Sequence, residues 1–527
     1  MIFFPNWAYF NIYAMSSWTR TIVIPLSIFY AYKPVRKLPD RLGIKELFVS
    51  DEANGKKARR WLTWHNFFTL TDKAIKYLEP PQQNVAGNRW QRWFWHARRQ
   101  LREKAVRHAA AWLLEHFEDS DGVGAIFPPM IYTVIVLRCL GYSDDSPEMR
   151  YAMKQLDDLK IEEGDTLRLQ PCLSPVWDTT LTMNALADAI LDEGSAVEDH
   201  ATILHALERA TRWLLEKEVR RRGDWSVMNP RLEPGGWFFE YRNGFYPDTD
   251  DTAMALMALA KTERARYRSY ALEPSAFRQQ PVAAAAERAL RWLLAMQNDD
   301  GGWAAFDRNI NREVLTKIPF ADHNAMLDPS CPDITARVLE ALGHYGFDAR
   351  HPQVQNAIRF LERTQDRDGC WTGRWGVNYI YGAWQVLQGF KQIGYDMHSP
   401  VVRRAVRWLK SVQQPNGGWG ESCRSYDDPE WKGRGETTAS QTAWALLGLV
   451  AAGEANSPEV QAGIDYLLRT QEPDGRWREE PFTGTGFPKV FYLKYHMYPL
   501  YFPLMALARY ERAVRGTVLP KTLAKVG

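Results

Sequence analysis

The residues best equipped for chemistry stand near the middle of the chain, in Tyr246-Pro247-Asp248-Thr249-Asp250-Asp251-Thr252-Ala253. Three carboxylates within four positions repel one another. In a dry pocket at least one of them is driven to hold a proton at neutral pH. That makes a strong Brønsted acid that needs no metal. The chain also carries 22 Trp, 23 Tyr and 23 Phe. An acid facing aromatic rings suits a reaction that makes a carbocation and then escorts it. A plainer reading stands beside this one. An apolar helical pattern follows the motif, and Asp248 is placed to cap the run Thr252 to Ala260. Capping would keep Asp248 ionised and a poor proton donor, leaving a helix cap with surface acids. The neighbouring Trp237, Phe238, Phe239, Tyr241, Phe245 and Tyr246 argue against a solvated loop.

Two further charged residues, Asp333 and Arg337, stand at i and i+4 and share a helix face, where a surface ion pair is the simple alternative. The acidic run Asp157-Asp158-Leu159-Lys160-Ile161-Glu162 comes nearest to a magnesium-binding spacing but reads as a solvated helix face. No metal site is expected. The cysteines, Cys139, Cys172, Cys331, Cys370 and Cys423, are scattered and odd in number. They form neither a zinc pattern nor a disulfide framework, and a reducing compartment fits them best.

These residues need a scaffold, and the pattern is mostly helical. Apolar residues recur at three and four positions in Val282 to Met296, Val354 to Thr364, Val401 to Val412 and Val460 to Thr470. Each run ends in a glutamine followed six positions later by a tryptophan: Gln297 and Trp303, Gln365 and Trp371, Gln413 and Trp419, Gln471 and Trp477. The spacing between successive tryptophans is 68, 48 and 58 residues, which suits a helix pair per unit with variable loops. Glycine supplies the turn, tryptophan packs a wide face onto the neighbours, and the glutamine amide satisfies backbone groups at a helix end. Helix pairs repeated in this way can close into an α/α barrel. The expected fold class is therefore all-α, with two such barrel-like, toroidal domains. An incomplete one spans 1–170, where Asp121 to Pro128 resembles a degenerate turn of the same kind. The other, 171–527, carries the acid motif. The polar stretch Asp72 to Arg92, with Pro80, Pro81, Gln82 and Gln83, reads as a surface excursion.

At 527 residues the chain is too long for one ordinary core. It is 45% hydrophobic and 24% charged, with net charge +3, and no long basic run points to nucleic acid. The apolar N-terminus is interrupted by Asn11, Ser16, Ser17, Thr19 and Arg20, and Ile22 to Tyr32 is too short to span a bilayer. A buried or interfacial helix is expected there.

Taken together the motifs resemble the class II triterpene cyclases, and within them the squalene–hopene cyclases. The acid motif Asp248-Thr249-Asp250-Asp251-Thr252-Ala253 and the glutamine–tryptophan repeats are both family features. Ser174-Pro175-Val176-Trp177-Asp178-Thr179 matches another signature, as does Gly484-Thr485-Gly486-Phe487-Pro488 with its continuation through Tyr498. The resemblance covers essentially the whole chain, which begins roughly a hundred residues into the family pattern; either a mis-assigned start or a truncated product is the expectation it raises. It implies cyclisation of squalene to hopene, a cofactor-free intramolecular isomerisation, with hopanol as the product of water capture, a hydro-lyase reaction. Asp250 resembles the proton donor, tuned by Asp248 and Asp251. Arg337 stands where the family pattern has a histidine, with Asp333 beside it. An arginine there would oppose the raising of the Asp250 pKa yet stabilise its conjugate base, or hold Asp251 or Asp248 ionised. Trp18, Trp177, Phe239, Phe306, Trp375, Tyr381, Phe487, Phe491, Tyr492, Tyr495 and Tyr498 resemble the pocket walls and cation stabilisers. Phe306 replaces a tyrosine common in the family, and Phe127 replaces a glutamine that can hold terminating water. The partners implied are squalene, the lipid of one leaflet at the cytoplasmic face of a bacterial membrane, and room for a homodimer. Ile126 to Leu140 is one candidate for the membrane patch, with a buried helix as its alternative. Two alternatives to squalene cyclisation stay open: a class II cyclase of another polyprene, and an inactive helical scaffold.

Overall fold

A computed structural model describes residues 2–43, 63–77, 89–191, 198–270, 281–317 and 325–516. The chain divides into two compact units. Unit 1 comprises Met1–Glu118, Gly122–Pro171 and Asn311–Leu327; unit 2 comprises Asp119–Asp121, Cys172–Ile310 and Asp328–Gly527. The described residues are predominantly α-helical, with four short strands in two antiparallel hairpins.

Unit 1 holds α1 (Ser17–Tyr32), α2 (Trp64–Tyr77), α3 (Arg89–Glu115), α4 (Phe127–Cys139) and α5 (Pro147–Asp157). Ser16 caps α1 by accepting the Thr19 N–H, and the helix is buried along most of its first three turns. It packs on α3 and α4, and α4 packs on α5. Ile24, Ile28, Leu113 and Val136 are core residues of this packing. The proposed membrane segment Ile126 to Leu140 is thus mainly α4, half-buried against its neighbours, with Ile131 the large apolar residue it exposes. The polar stretch from Asp72 is an exposed end of α2 and the start of α3; Pro80, Pro81, Gln82 and Gln83 lie outside the described residues. Strands β1 (Lys160–Glu163) and β2 (Thr166–Leu169) form an exposed hairpin that the helical pattern did not foretell. Asp157 and Asp158 are partly exposed and paired with Lys160 and Lys154, in keeping with a solvated face.

Unit 2 alternates helices of two kinds. One set is largely buried: α6 (Pro175–Ile190), α9 (Thr249–Tyr270), α11 (Pro332–His344), α13 (Tyr379–Gln392), α15 (Ala439–Ala451) and the first half of α17 (Tyr498–Arg515). The other set is amphipathic: α7 (His200–Glu216), α10 (Pro281–Ala295), α12 (Pro352–Thr364), α14 (Pro400–Ser411) and α16 (Pro458–Thr470). Helix α14, for instance, buries Val402, Ala405, Trp408 and Leu409, one stripe at helical spacing. The one-turn α8 (Trp225–Met228) and the hairpin β3 (Gly484–Phe487) with β4 (Phe491–Leu493) complete the unit. In the buried set α6 packs on α9, α9 on α11, α11 on α13, α13 on α15, α15 on α17, and α17 on α6. Each amphipathic helix packs against a buried one, as α12 does on α11 and α16 on α15.

The repeats explain the alternation. Gln365, at the end of α12, donates its amide to Gly369 O at 2.8 Å and to Val401 O at 2.9 Å, at the start of α14. Gln297 ties α10 to α12 through Gln353 O at 2.9 Å, and Gln413 ties α14 to α16 through Glu459 O at 2.8 Å. The tryptophans reach back to the helix they follow: the indole N–H groups of Trp303, Trp371, Trp419 and Trp477 donate to the carbonyls of Leu293, Leu361, Leu409 and Leu467 at 2.7–2.8 Å. The turn needs glycine. Gly369 has φ +101°, and a Cβ there would lie 2.6 Å from Arg404 O. A fifth copy escaped the sequence pattern. Trp237 donates to Leu214 O at 2.7 Å, but an insertion separates it from α7, so the fixed spacing is lost.

Candidate active site

Helix α9 opens directly on the acid motif. Asp248 Oδ1 accepts the Asp251 N–H at 2.7 Å, which is the expected cap. The loop before it is pinned. Asp248 N–H donates to Trp237 O at 2.9 Å, Thr249 N–H to Ala305 O at 2.8 Å, and Trp237 N–H to Thr252 Oγ1 at 3.0 Å.

Capping does not keep Asp248 ionised, because desolvation outweighs it. Asp248, Asp250 and Asp251 are 3%, 8% and 2% exposed, so none is a surface acid. Burial pushes Asp248 up to about 8 against the lowering by backbone N–H groups, with the Asp250 charge adding to the rise. Burial holds Asp251 well above the ordinary carboxylate range, and the charges of Asp248, Asp250 and Glu240 raise it further. The Asp248 and Asp251 side chains also hydrogen-bond to each other, in the sense that keeps the proton on Asp251. Asp248 Oδ2 and Asp251 Oδ1 are buried without a hydrogen-bond partner. Asp250 is raised by burial and lowered by Arg337, and burial prevails.

Arg337 makes the decisive contact. One guanidinium nitrogen donates to Asp250 Oδ1 and the other to the Tyr381 hydroxyl. The same group lies 5.0 Å from the centroid of the Trp177 ring. Two expectations are corrected here. Arg337 does not hold Asp248 or Asp251; it binds Asp250 itself. It also forms no surface pair with Asp333, since the two are 2% and 1% exposed. In a dry interior the guanidinium fork turns to where it finds two acceptors. Asp333 does other work: its Oδ2 accepts the N–H groups of Arg374 at 2.7 Å and Trp375 at 3.1 Å, fixing that loop.

Rings surround the pair. The Trp177 indole donates to the Tyr498 hydroxyl at 3.2 Å, and Tyr498 stacks on Tyr495 at 4.3 Å. Phe239 lies 6.4 Å from Trp177. Trp177, Asp250, Arg337, Tyr381 and Tyr498 all stand in the first two turns of their helices, so N-terminal dipole ends gather around Asp250 and favour its anion. Trp375 and Phe487 flank the Arg374 guanidinium at 4.3 and 5.2 Å. Phe491 packs on Phe487 at 5.6 Å but is 37% exposed, and Tyr492 stacks with Tyr426 at 6.0 Å. Phe306 is half-buried, its N–H donating to Asp328 Oδ2 at 2.7 Å. Trp18 belongs to unit 1, where its indole N–H and the hydroxyls of Ser16 and Thr19 all donate to Ala325 O.

Sequence reasoning passed over several groups. Trp384, Trp444 and Phe502 pack beneath Tyr381 and Tyr498, but at helical spacing they look like any core aromatics. Asp328 is pushed up to about 7 by burial and the Asp307 charge while it accepts three backbone N–H groups. Glu240, 6% exposed among aromatic residues eight positions before Asp248, had a signal of that kind. Among the described residues no three His, Cys, Asp or Glu side chains form a metal-binding group. All five cysteines are free.

Comparison with known proteins bears on what this arrangement does. The model of the squalene-hopene cyclase C-terminal domain matches residues 173–512, and that of the N-terminal domain residues 1–165. A probable squalene–hopene cyclase of Sinorhizobium fredii is 40% identical, covering 98% of this chain and 75% of its own length. The squalene–hopene cyclase of Bradyrhizobium diazoefficiens is 39% identical, covering 97% and 73%. That of Alicyclobacillus acidocaldarius is 40% identical, covering 96% and 74%.

Proposed function

The chain belongs to the squalene–hopene cyclase family and cyclises squalene, and we propose that Asp250 delivers the proton that starts the reaction. One observation carries the assignment: Asp250 is the buried carboxyl whose oxygen meets the fixed cation, Arg337. As a neutral acid it hydrogen-bonds that cation. Once the proton has left for the terminal alkene, the contact becomes a full ion pair. Arg337 therefore stabilises the transition state more than the ground state, which is what lowers a barrier. Tyr381 holds the second guanidinium nitrogen and so fixes its aim. Asp248 and Asp251, each favouring its protonated form, keep negative charge away from Asp250 before the transfer.

Squalene offers no charged handle, so binding rests on apolar burial at about 0.8 kcal/mol per buried CH₂. Electron-rich ring faces then stabilise the travelling cation by about 2 kcal/mol or more where water is excluded. Trp177, Phe239, Trp375, Phe487 and the tyrosines Tyr495 and Tyr498 are the rings we assign to this, with Phe306, Phe491 and Tyr492 as further walls. Asp333 positions Trp375 through its backbone bonds. Deprotonation of the last cation gives hopene, and water capture gives hopanol.

The scaffold we propose for unit 2 is an α/α barrel. The cycle of packing from α6 through α9, α11, α13 and α15 to α17 and back to α6 supports it. A two-domain division at 170/171 accords with the break between the two matched models. No described helix is long and apolar enough to cross a membrane, and we propose attachment to one leaflet. Exposed Trp7, Trp64, Phe67, Trp90 and Trp93 in unit 1 support that reading, as does an apolar cavity of about 390 Å³ lined by residues of α1, α2 and α3. Incubation of the purified chain with squalene tests the function. Cyclised triterpene by gas chromatography is the expected result, and unchanged squalene would contradict it.

A further inference from the structure

We infer that Glu240 is a proton-relay residue, which recharges the acid cluster from solvent through Asp121 after each turnover. The inference rests on the squalene-cyclisation reading and extends it. That reaction removes a proton from Asp250 at one end of the substrate and releases one from the last cation at the other. The donor must therefore regain a proton from water before it can act again, yet it is buried among rings chosen to keep water out.

The loop between α8 and α9 offers a route. Glu240 is 6% exposed, and its Oε2 accepts the Asn243 Nδ2–H at 3.1 Å. Asn243 pairs with Ser120 in an isolated β-bridge, next to Asp121. Asp121 accepts the Arg242 N–H at 2.8 Å and pairs with the Arg242 guanidinium at 3.3 Å; its side chain is 16% exposed and that of Arg242 54%. The outer end thus meets water and the inner end is dry. On the inner side Glu240 lies near enough to Asp248 and Asp251 for their charges to act on one another, and Asp248 Oδ2 and Asp251 Oδ1 are buried with no hydrogen-bond partner. Those two atoms are open acceptors, and a bridging water would find polar partners there. Cys172, whose thiol feels the Glu240 charge, is pushed by burial up to about 12 and therefore stays protonated. Burial, aided by the charges of Asp248 and Asp121, likewise holds Glu240 well above the ordinary carboxylate range. A carboxyl whose burial favours its protonated form can hand that proton inward and take another from outside.

The step balances. An O–H bond of Glu240 breaks as one forms on the Asp248–Asp251 pair, which passes its proton to the Asp250 carboxylate; Glu240 is then reprotonated from hydronium by way of Asp121. No electrons move, and the proton entering here replaces the one released by the product cation.

Pre-steady-state turnover of squalene separates a relay from packing. In Glu240→Gln the preloaded Asp250 should still fire once, giving a burst near one product per enzyme. Steady-state kcat should then fall by at least about tenfold, with KM unchanged and a larger solvent deuterium isotope effect. Glu240→Asp should restore much of the rate. A Glu240→Gln enzyme with wild-type kcat overturns the relay, and so does a folded one that loses the burst as well. Should that variant fail to fold, Asp121→Asn decides by the same criteria. A wild-type chain that leaves squalene unchanged would instead count against the functional reading.

Discussion

A permanent charge beside the donor changes what pH can do to this site. Arg337 stays protonated throughout, so the titration that matters belongs to the carboxyls. The donor must carry a proton, and kcat should therefore decline on the alkaline side as Asp248, near 8, and its neighbours ionise, without a limb from a histidine partner. Stability follows the same sign. Unfolded, Asp248 would ionise near the ordinary ~3.9, whereas folded it holds its proton to about 8. Between those values the folded chain binds more protons, so stability is fullest at the acid end and is lost as pH rises. Thermal unfolding from pH 5 to 8 should show that slope, flattened in Asp248→Asn. Arg337→Gln should cost about 10²–10³ in kcat, because the conjugate base loses its partner. Phe239→Ala and Phe487→Ala should release early-terminated products, read by gas chromatography, while substrate consumption continues. The aspartates were legible because they are local in sequence. The pairing of Arg337 with Asp250, 87 residues away, was one alternative that the family resemblance offered; local spacing alone pointed to Asp333 at i to i+4.

Among elements, the repeats bear most of the positioning. Each glutamine clamps its own turn and, in three copies, the start of the next amphipathic helix. Gln365→Ala should lower stability by about 1–3 kcal/mol, since it leaves Gly369 O and Val401 O short of a donor. Trp371→Ala should cost about 3–5 kcal/mol by opening a cavity at a fully buried site. Denaturant midpoints would check both, and the product profile of the surviving enzyme should not change. The four regular copies were readable because helix, glycine turn and tryptophan recur at fixed spacing. The copy at Trp237 was not, since its insertion breaks the spacing while leaving the hydrogen bond to Leu214 intact. The two hairpins also escaped, being short and lacking alternation; β1 and β2 are almost wholly exposed.

At the scale of the molecule, the helical class followed from periodicity, whereas the pairing of α17 with α6 depends on contacts across more than 300 residues and no local signal carries it. The same limit applied to the membrane patch: Ile126 to Leu140 is an apolar run, but α4 spends much of it on α1 and α5, and the exposed aromatics lie mainly on other segments. Adsorption to vesicles should resist high salt and yield to detergent, because inserted apolar surface is not screened as a charge contact is. Full release by salt would point to an electrostatic association. The central claim is narrower, that Asp250 starts the cyclisation of squalene with a proton drawn from solvent. It is tested most directly by incubating squalene in D₂O with the wild-type chain and with Asp250→Asn, and reading product mass by gas chromatography. The account predicts a cyclised triterpene bearing solvent deuterium from the wild type and none from the folded variant; cyclisation undiminished in Asp250→Asn, or a cyclised product without solvent deuterium, would contradict it.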